Sequence, residues 1–447
     1  MIKKQTQLQQ KKISKKISKK ISNKISNKIS RKKSKKKNIN NKTDKYYLKY
    51  LFENYKKIKF DASQQTELIQ KIIELPKNIY SDYKTNLLVI NFVYNVKNNT
   101  MKFEMINVND IPNDSRKDVI KTFLTMFCKW FVNNARELKN NIKTCILIYV
   151  SDRIIWNIKD VDKQIPICVY AQPDNLNYIL IPDNTFHINS EETRYDKFGL
   201  DWEEQKQLFT TIIKRPHTIL TKPTLIKQNR IFFKGADTTN YNHNLRFYIK
   251  KRLITENDIE FKDAMIYEWL KPNNYESVQT FTKYKFLLNL PGRYPWSTRL
   301  KYLYLSRGFI INVRVKTLGD GNEDFYKSFI DYIVPDILCI NIDMIYYYDK
   351  TYLKNNKTTA EDNKTIEYNE KNKIEIKQVY DQIKAIFHKY KNKNPYTDKN
   401  VNKAYNLINN FKKEDMFIYY YNIIMMNYKI GLKPFTPIKD EFINLFK

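Results

Sequence analysis

The stretch at 284–314, YKFLLNLPGRYPWSTRLKYLYLSRGFIINVR, constrains the fold more than any other part of the chain. Its run at 286–290 is short and apolar but for Asn289, as in a parallel strand covered on both faces, and Pro291 and Gly292 end it. From Ser297 onward the spacing changes to Leu300, Leu303 and Tyr304, which predicts a helix with Gly308 at its C-terminal cap. A second apolar run, 309–315, follows at once. Strand, loop, helix and strand in this order predict an α/β unit, in which ligands lie beyond the carboxyl ends of strands and anions favour helix N-termini. Ser297, Thr298 and Arg299 fall in the predicted first turn, so the segment predicts an anion cradle with Arg299 as a fixed, bidentate charge. An arginine at the positive end of a helix dipole is unfavourable unless an anion answers it.

The rest of the chain supplies two α/β layers to house such a unit. Apolar runs at 87–96 and 101–108 flank Lys97-Asn98-Asn99-Thr100 and predict a β-hairpin. Asp114 or Ser115 then caps a helix whose apolar positions include Ile120, Phe123, Phe127 and Phe131. The strand at 145–150 ends in Ser151, Asp152 and Arg153, which completes one Rossmann-like half with Asp152 at a carboxyl end. Strands at 229–234, 284–290 and 309–315, with helices around 243–253 and 258–270, predict a second layer. Residues 350–375 are polar and read as a loop, and 376–390, 400–411 and 415–428 carry helical periodicity. The expected organisation is a basic tail at 1–45, an N-terminal half at 46–205, a second half at 206–350, and a loop with C-terminal helices at 351–447.

The central segment resembles glycosyltransferase family 90, the protein O-glucosyltransferases, protein O-xylosyltransferases and fungal capsule xylosyltransferases. The family signature, roughly Y-K-Y-L-h-N-h-x-G and then W-S-x-R-L-K-Y-L, is matched by Tyr284, Lys285, Phe286, Leu287, Asn289 and Gly292. Trp296, Ser297, Arg299, Leu300, Lys301, Tyr302 and Leu303 match its second part. Three further landmarks stand in the family's order. The strand ending at Asp152 is similar to the family's strand ending in R-D or S-D, IPDNTF at 181–186 resembles Y-P-D-x-T/S-F, and 231–246 resembles F-F-R-G-S-x-T. In the last of these Lys234 and Ala236 replace Arg and Ser, and Arg246 aligns through a short insertion. The resemblance covers about residues 85–345 and weakens after Pro335.

The resemblance implies a GT-B fold, two Rossmann-like halves facing a cleft with terminal helices packed across them. It implies an inverting, metal-independent transfer of glucose or xylose from a UDP-sugar to a hydroxyl of a protein or glycan, with no cofactor beyond that donor. By position Asp152 inherits the catalytic base. Arg299, Arg246, Ser297, Thr298, Lys234, Gly235 and Gly292 fall on the donor side, and Asp183 and Phe186 lie by the acceptor. The chemistry agrees, since an inverting transfer needs a carboxylate to take the acceptor proton and positive charge to stabilise the departing diphosphate.

Several other classes are excluded or set aside. Phosphate-binding P-loop, dinucleotide G-x-G-x-x-G and G-x-S-x-G patterns are absent. Asp160-Val161-Asp162 does not follow an apolar strand and reads as a chance D-x-D string, and His187, His217, His243 and His388 share no metal-ligand spacing, so no metal is expected. Cys128, Cys145, Cys168 and Cys339 are widely spaced and read as free thiols. No apolar run is long enough to span a bilayer, and a cytoplasmic setting is expected. Residues 1–45 hold 18 Lys or Arg against one acid, Asp44, so this tail carries +17 of the formal +33 and leaves +16. Its K-I-S-K repeats predict a disordered arm able to meet nucleic acid or an anionic surface. The alternative reading is therefore a nucleic-acid- or virion-associated binding protein on a degenerate glycosyltransferase scaffold.

Overall fold

Ten of the strands form two five-stranded sheets, and the strands Ile142–Tyr149 and Tyr284–Asn289 are buried on both faces along nearly their whole length. In the computed structural model the chain divides into two units, Met1–Lys45 and Tyr46–Lys447. The structure describes residues 46–74, 87–107, 115–150, 161–183, 186, 201–214, 227–234, 246, 249, 266–267, 278–292, 297–318, 324–347 and 363–435, all in the second unit.

Helices α1 (Tyr46–Lys57) and α2 (Gln65–Glu74) precede the first sheet. β1 (Leu87–Asn95) and β2 (Thr100–Asn107) form the expected hairpin, and Asn99 turns it in left-handed conformation at φ 47°. After α3 (Ser115–Asn134), β3 (Ile142–Tyr149) pairs antiparallel with β1. The short α4 (Val161–Gln164) leads to β4 (Ile167–Val169), β5 (Ala171–Pro173) and β6 (Ile179–Leu180). The sheet order is β2-β1-β3-β4-β6, and it is parallel only from β3 through β4 to β6. The sequence pattern predicts a Rossmann-like half here. The observed sheet is mixed, because both strand-burying patterns look alike in sequence while the hairpin inverts the direction of β1.

The second sheet follows α5 (Trp202–Lys214). It comprises β7 (Gln228–Lys234), β8 (Ile266–Tyr267), β9 (Tyr284–Asn289), β10 (Phe309–Leu318) and β12 (Ile340–Tyr347), with α6 (Leu300–Leu305) between β9 and β10. Its order is β12-β10-β9-β7-β8 and every pairing is parallel. Residues 266–267 fall inside the predicted helix at 258–270 but form a strand, because they pair with Phe233 and Lys234. β11 (Tyr326–Ser328) pairs antiparallel with β5, Tyr326 opposite Pro173, and so ties the second half to the first. The short α7 (Ile330–Ile333) follows it.

Three C-terminal helices close the chain. α8 (Asn363–Tyr390) begins inside the stretch read as a loop. Periodicity registers only the part that touches the sheet, Ile376, Val379, Tyr380, Ile383 and Phe387, which cluster with Phe286, Leu288 and Ile311. α9 (Lys399–Asn410) is capped by Asp398, which accepts from Asn400 and Val401 N–H. α10 (Lys413–Lys429) returns to the first sheet, where Asn427 Nδ2 donates to Cys145 O at 2.8 Å and Tyr419 Oη donates to Leu180 O at 2.7 Å. Phe417 meets Phe123 of α3 with ring centroids 5.4 Å apart.

Candidate functional site

Several of the candidate side chains gather where β9 ends. Leu290 and Pro291 follow β9 and are buried, and their carbonyl oxygens accept from two arginines. Arg246 Nε donates to Pro291 O at 2.8 Å and its NH2 to Leu290 O at 3.5 Å, while Arg299 NH1 donates to the same Leu290 O at 3.1 Å. Both guanidinium groups also lie on one ring, that of Phe233, at 5.5 Å for Arg246 and 4.8 Å for Arg299. Each arginine is only 5% exposed. Arg299 Nε is buried without a hydrogen-bond partner, and Arg299 makes no ion pair among the described residues. The two buried guanidinium groups thus share one carbonyl oxygen and one aromatic face at this strand tip.

The cradle differs from the one the sequence predicts. α6 starts at Leu300 and is six residues long, so Ser297, Thr298 and Arg299 form the turn before it. Ser297 Oγ accepts from Arg299 N–H at 3.3 Å, and Ser297, Thr298 and Gly292 are half-buried beside the strand tip. Positive charge at this strand tip therefore comes from side chains, since a six-residue helix carries little dipole. Lys234 ends β7 in the same sheet. Asp152 and Gly235 lie outside the described residues.

Asp183 and Phe186, expected on the acceptor side, are both buried. Lys301 Nζ donates to both carboxylate oxygens of Asp183, at 3.0 and 3.1 Å, and sits 4.2 Å from the Phe186 ring. Burial pulls the Lys301 ammonium down from the ordinary lysine range, and Asp183 opposes that shift. Phe186 is fully buried against Trp202, Phe329 and Phe411. Both residues thus lock the first half onto α6.

Three asparagines add a feature that the sequence reading missed. Asn289, Asn312 and Asn341 stand in register across β9, β10 and β12. Arg299 NH1 donates to Asn289 Oδ1 at 3.4 Å, Asn289 Nδ2 to Asn312 Oδ1 at 2.8 Å, Asn312 Nδ2 to Asn341 Oδ1 at 3.0 Å, and Asn341 Nδ2 to Asp336 O at 2.9 Å. Every amide in this one-way chain is oriented by the next, so Arg299 is held from the far side of the sheet. The available signal was an asparagine inside the otherwise apolar run at 286–290, since a buried amide needs partners.

Asn289 and Asn312 also line a cavity of about 120 Å³ between β9, β10 and β11. Pro291, Ser297, Asp331 and Tyr326 border it. Asp331 accepts from Ser328 N–H at 2.7 Å and from Ser328 Oγ at 3.2 Å. Burial pushes its carboxyl up to about 6 against those hydrogen bonds.

Asp162, from the D-x-D string, is buried and accepts the Asn177 N–H at 2.8 Å, which ties α4 to the segment before β6. Among the described residues no group of His, Cys, Asp or Glu gathers that could hold a metal ion. All four cysteines are free, with Cys128, Cys145 and Cys168 buried and Cys339 half-buried. Burial pushes the Cys145 thiol up to about 12. No helix among the described residues is long and apolar enough to cross a membrane. No protein-family model matches the chain, and a search of curated proteins finds no match either.

Proposed function

We propose that the protein is an inverting glycosyltransferase that moves glucose or xylose from a UDP-sugar to a hydroxyl of a protein or glycan, on a GT-B arrangement of its two α/β halves. The observation that carries this reading is the convergence of Arg246 and Arg299 on the tip of β9, in an all-parallel sheet whose strand ends are where such folds take nucleotides. In the proposed reaction Asp152 takes the proton of the acceptor hydroxyl. The acceptor oxygen forms a bond to the anomeric carbon, the bond from that carbon to the diphosphate oxygen breaks, and UDP leaves with the electron pair, its charge met by the two arginines. Asp183 and Phe186 then act by fixing the wall between acceptor and donor sides. The four free thiols support a reducing, cytoplasmic setting.

The test is a thermal-shift and transfer assay with UDP, UDP-glucose, UDP-xylose and other nucleotide sugars. A ligand that binds only the folded state raises its apparent stability. Asp152→Asn is expected to keep UDP binding and to lose transfer; an undiminished rate in that variant removes the mechanism. A second reading concerns Met1–Lys45 alone, whose +17 charge supports contact with nucleic acid or another anionic surface.

A further inference from the structure

The second sheet has another charged end, where its strands begin rather than where β9 finishes. Residues 382–412, from the last turns of α8 through α9, hold seven lysines and one acid, Asp398. Their net charge of +6 is a large share of the +16 of Tyr46–Lys447, so positive charge is concentrated here and not merely typical of the chain. Asp398 is already engaged as the cap of α9. Lys389, Lys393, Lys399 and Lys403 are exposed, and none of them forms an ion pair among the described residues. Lys399 and Lys403 stand one helical turn apart on α9, on the face that also presents the exposed Asn406.

The fold holds this charge in place and sets aromatic rings among it. Lys285 Nζ, at the start of β9, donates to Lys391 O, and the Tyr390 ring lies 5.1 Å from that of Phe309, the first residue of β10. Lys389 and Lys393 lie 5.7 and 4.5 Å from the Tyr390 ring. Arg307, in the turn between α6 and β10, lies against the rings of Tyr396 and Tyr405 and donates to Asn402 of α9. Tyr390, Tyr396 and Tyr405 are half-buried, which leaves part of each side chain at the surface. Lys227 Nζ, 5.5 Å from the Tyr396 ring, donates to the carbonyls of Thr282, Tyr284 and Ser306 and meets no carboxylate among the described residues. Burial, and after it the charge of Arg307, pulls the Lys227 ammonium down to about 7, as happens where like charges gather without acids.

Lysines without acidic partners suit any polyanion, but rings spaced among them favour one class. The bases of a single strand stack on aromatic side chains while its phosphates meet the flanking charges. A duplex keeps its bases stacked within itself, and an anionic bilayer has none. We infer that the surface made by the α8–α9 connection, the first turns of α9 and Arg307 binds single-stranded nucleic acid, with Tyr390, Tyr396 and Tyr405 taking bases and the lysines taking phosphates. This surface lies at the opposite end of the parallel strands from the β9 tip and does not depend on the glycosyltransferase reading.

Photocrosslinking of the full chain to short iodouracil-bearing single strands of DNA and RNA tests it. Crosslinks are mapped to residues by mass spectrometry, so binding elsewhere on the chain, Met1–Lys45 included, does not mask the result. Crosslinks are expected on at least one of Tyr390, Tyr396 and Tyr405, and their ratio between the two strands tells RNA from DNA. The triple variant Lys393→Gln, Lys399→Gln and Lys403→Gln, all at exposed positions, is expected to lower the yield at these tyrosines about fivefold or more. Tyr405→Leu is expected to weaken capture of the strand here, and Tyr405→Phe, which keeps the ring, to retain it. Crosslinks confined to other residues, or a yield unchanged in the lysine variant, would overturn the inference. So would competition by duplex DNA or anionic vesicles as effective as that by an unlabelled single strand, since the surface would then answer charge alone.

Discussion

Arg307, and not Gly308, adopts the left-handed conformation after α6, at φ 53°. Its guanidinium pays for that strain by donating to Asn402 Oδ1 at 2.6 Å and lying 5.0 and 4.8 Å from the Tyr396 and Tyr405 rings. Gly308 is needed for a different reason, since a Cβ there would come 2.8 Å from Leu287 Cδ1 and 3.1 Å from Lys285 O. The glycine was legible in sequence as special; its cause was not, because close approach to β9 is a tertiary fact. Asp331 is a similar case. In sequence it is one more acid near a serine, and only its burial makes it titrate unusually. Its folded-state pKa, near 6, stands above the ordinary aspartate value, so the folded protein binds this proton more tightly than the unfolded chain. The group therefore costs nothing below about pH 4, and its destabilising effect grows as pH rises through 6. Asp331→Asn keeps an acceptor for Ser328 and removes the ionisation. Urea unfolding at pH 4.5 and 7.5 should show the variant gaining on the wild type at the higher pH, and a difference that does not change with pH would refute the assignment.

Elements with their own periodicity were legible: the β1–β2 hairpin, α3, and the β9–α6–β10 segment all lie where their apolar spacing puts them. Elements defined by partners were not. β8 is two residues long and exists through its pairing with β7, and α8 begins in a polar stretch without apolar spacing. The α6 helix shows the same limit at the site, since Arg299 was singled out while Lys301, two residues on, was quoted only as part of a motif. Its partner Asp183 lies 118 positions away, and no local pattern announces such a pair. The Lys301–Asp183 bridge is buried, and removing one partner from a buried pair strands the other charge at a cost of about 3–5 kcal/mol. Asp183→Ala is accordingly expected to lower unfolding free energy by about that much. The double replacement Asp183→Leu with Lys301→Met should recover most of the loss, because no charge is then left uncompensated. Equal losses in the single and double variants would mean that packing, and not charge, governs this contact.

At the scale of the whole chain, sequence order and spatial order diverge. α10 comes last in sequence yet completes the first sheet, and beyond it Phe435 exchanges two hydrogen bonds with Asn91 of β1 at 2.8 and 2.9 Å. The first half therefore needs α10 and Phe435, which a division of the chain at residue 205 does not convey. Charge, by contrast, divides cleanly: Met1–Lys45 carries +17 and Tyr46–Lys447 carries +16 over a chain roughly nine times longer. Affinity for a polyanion depends on how many phosphates are neutralised at once, and the logarithm of the binding constant falls with log salt by about 0.9 per contact for duplex DNA. Dense charge on a short segment thus gives a steeper salt dependence than the same charge spread over a folded surface. Comparing the full chain with a chain starting at Tyr46 separates the two contributions. The shorter protein is expected to keep its unfolding midpoint and its UDP affinity, while its binding to duplex DNA or anionic vesicles weakens and loses most of its salt slope. Equal slopes for the two proteins would move the polyanion contact onto the folded body and leave the tail without that role.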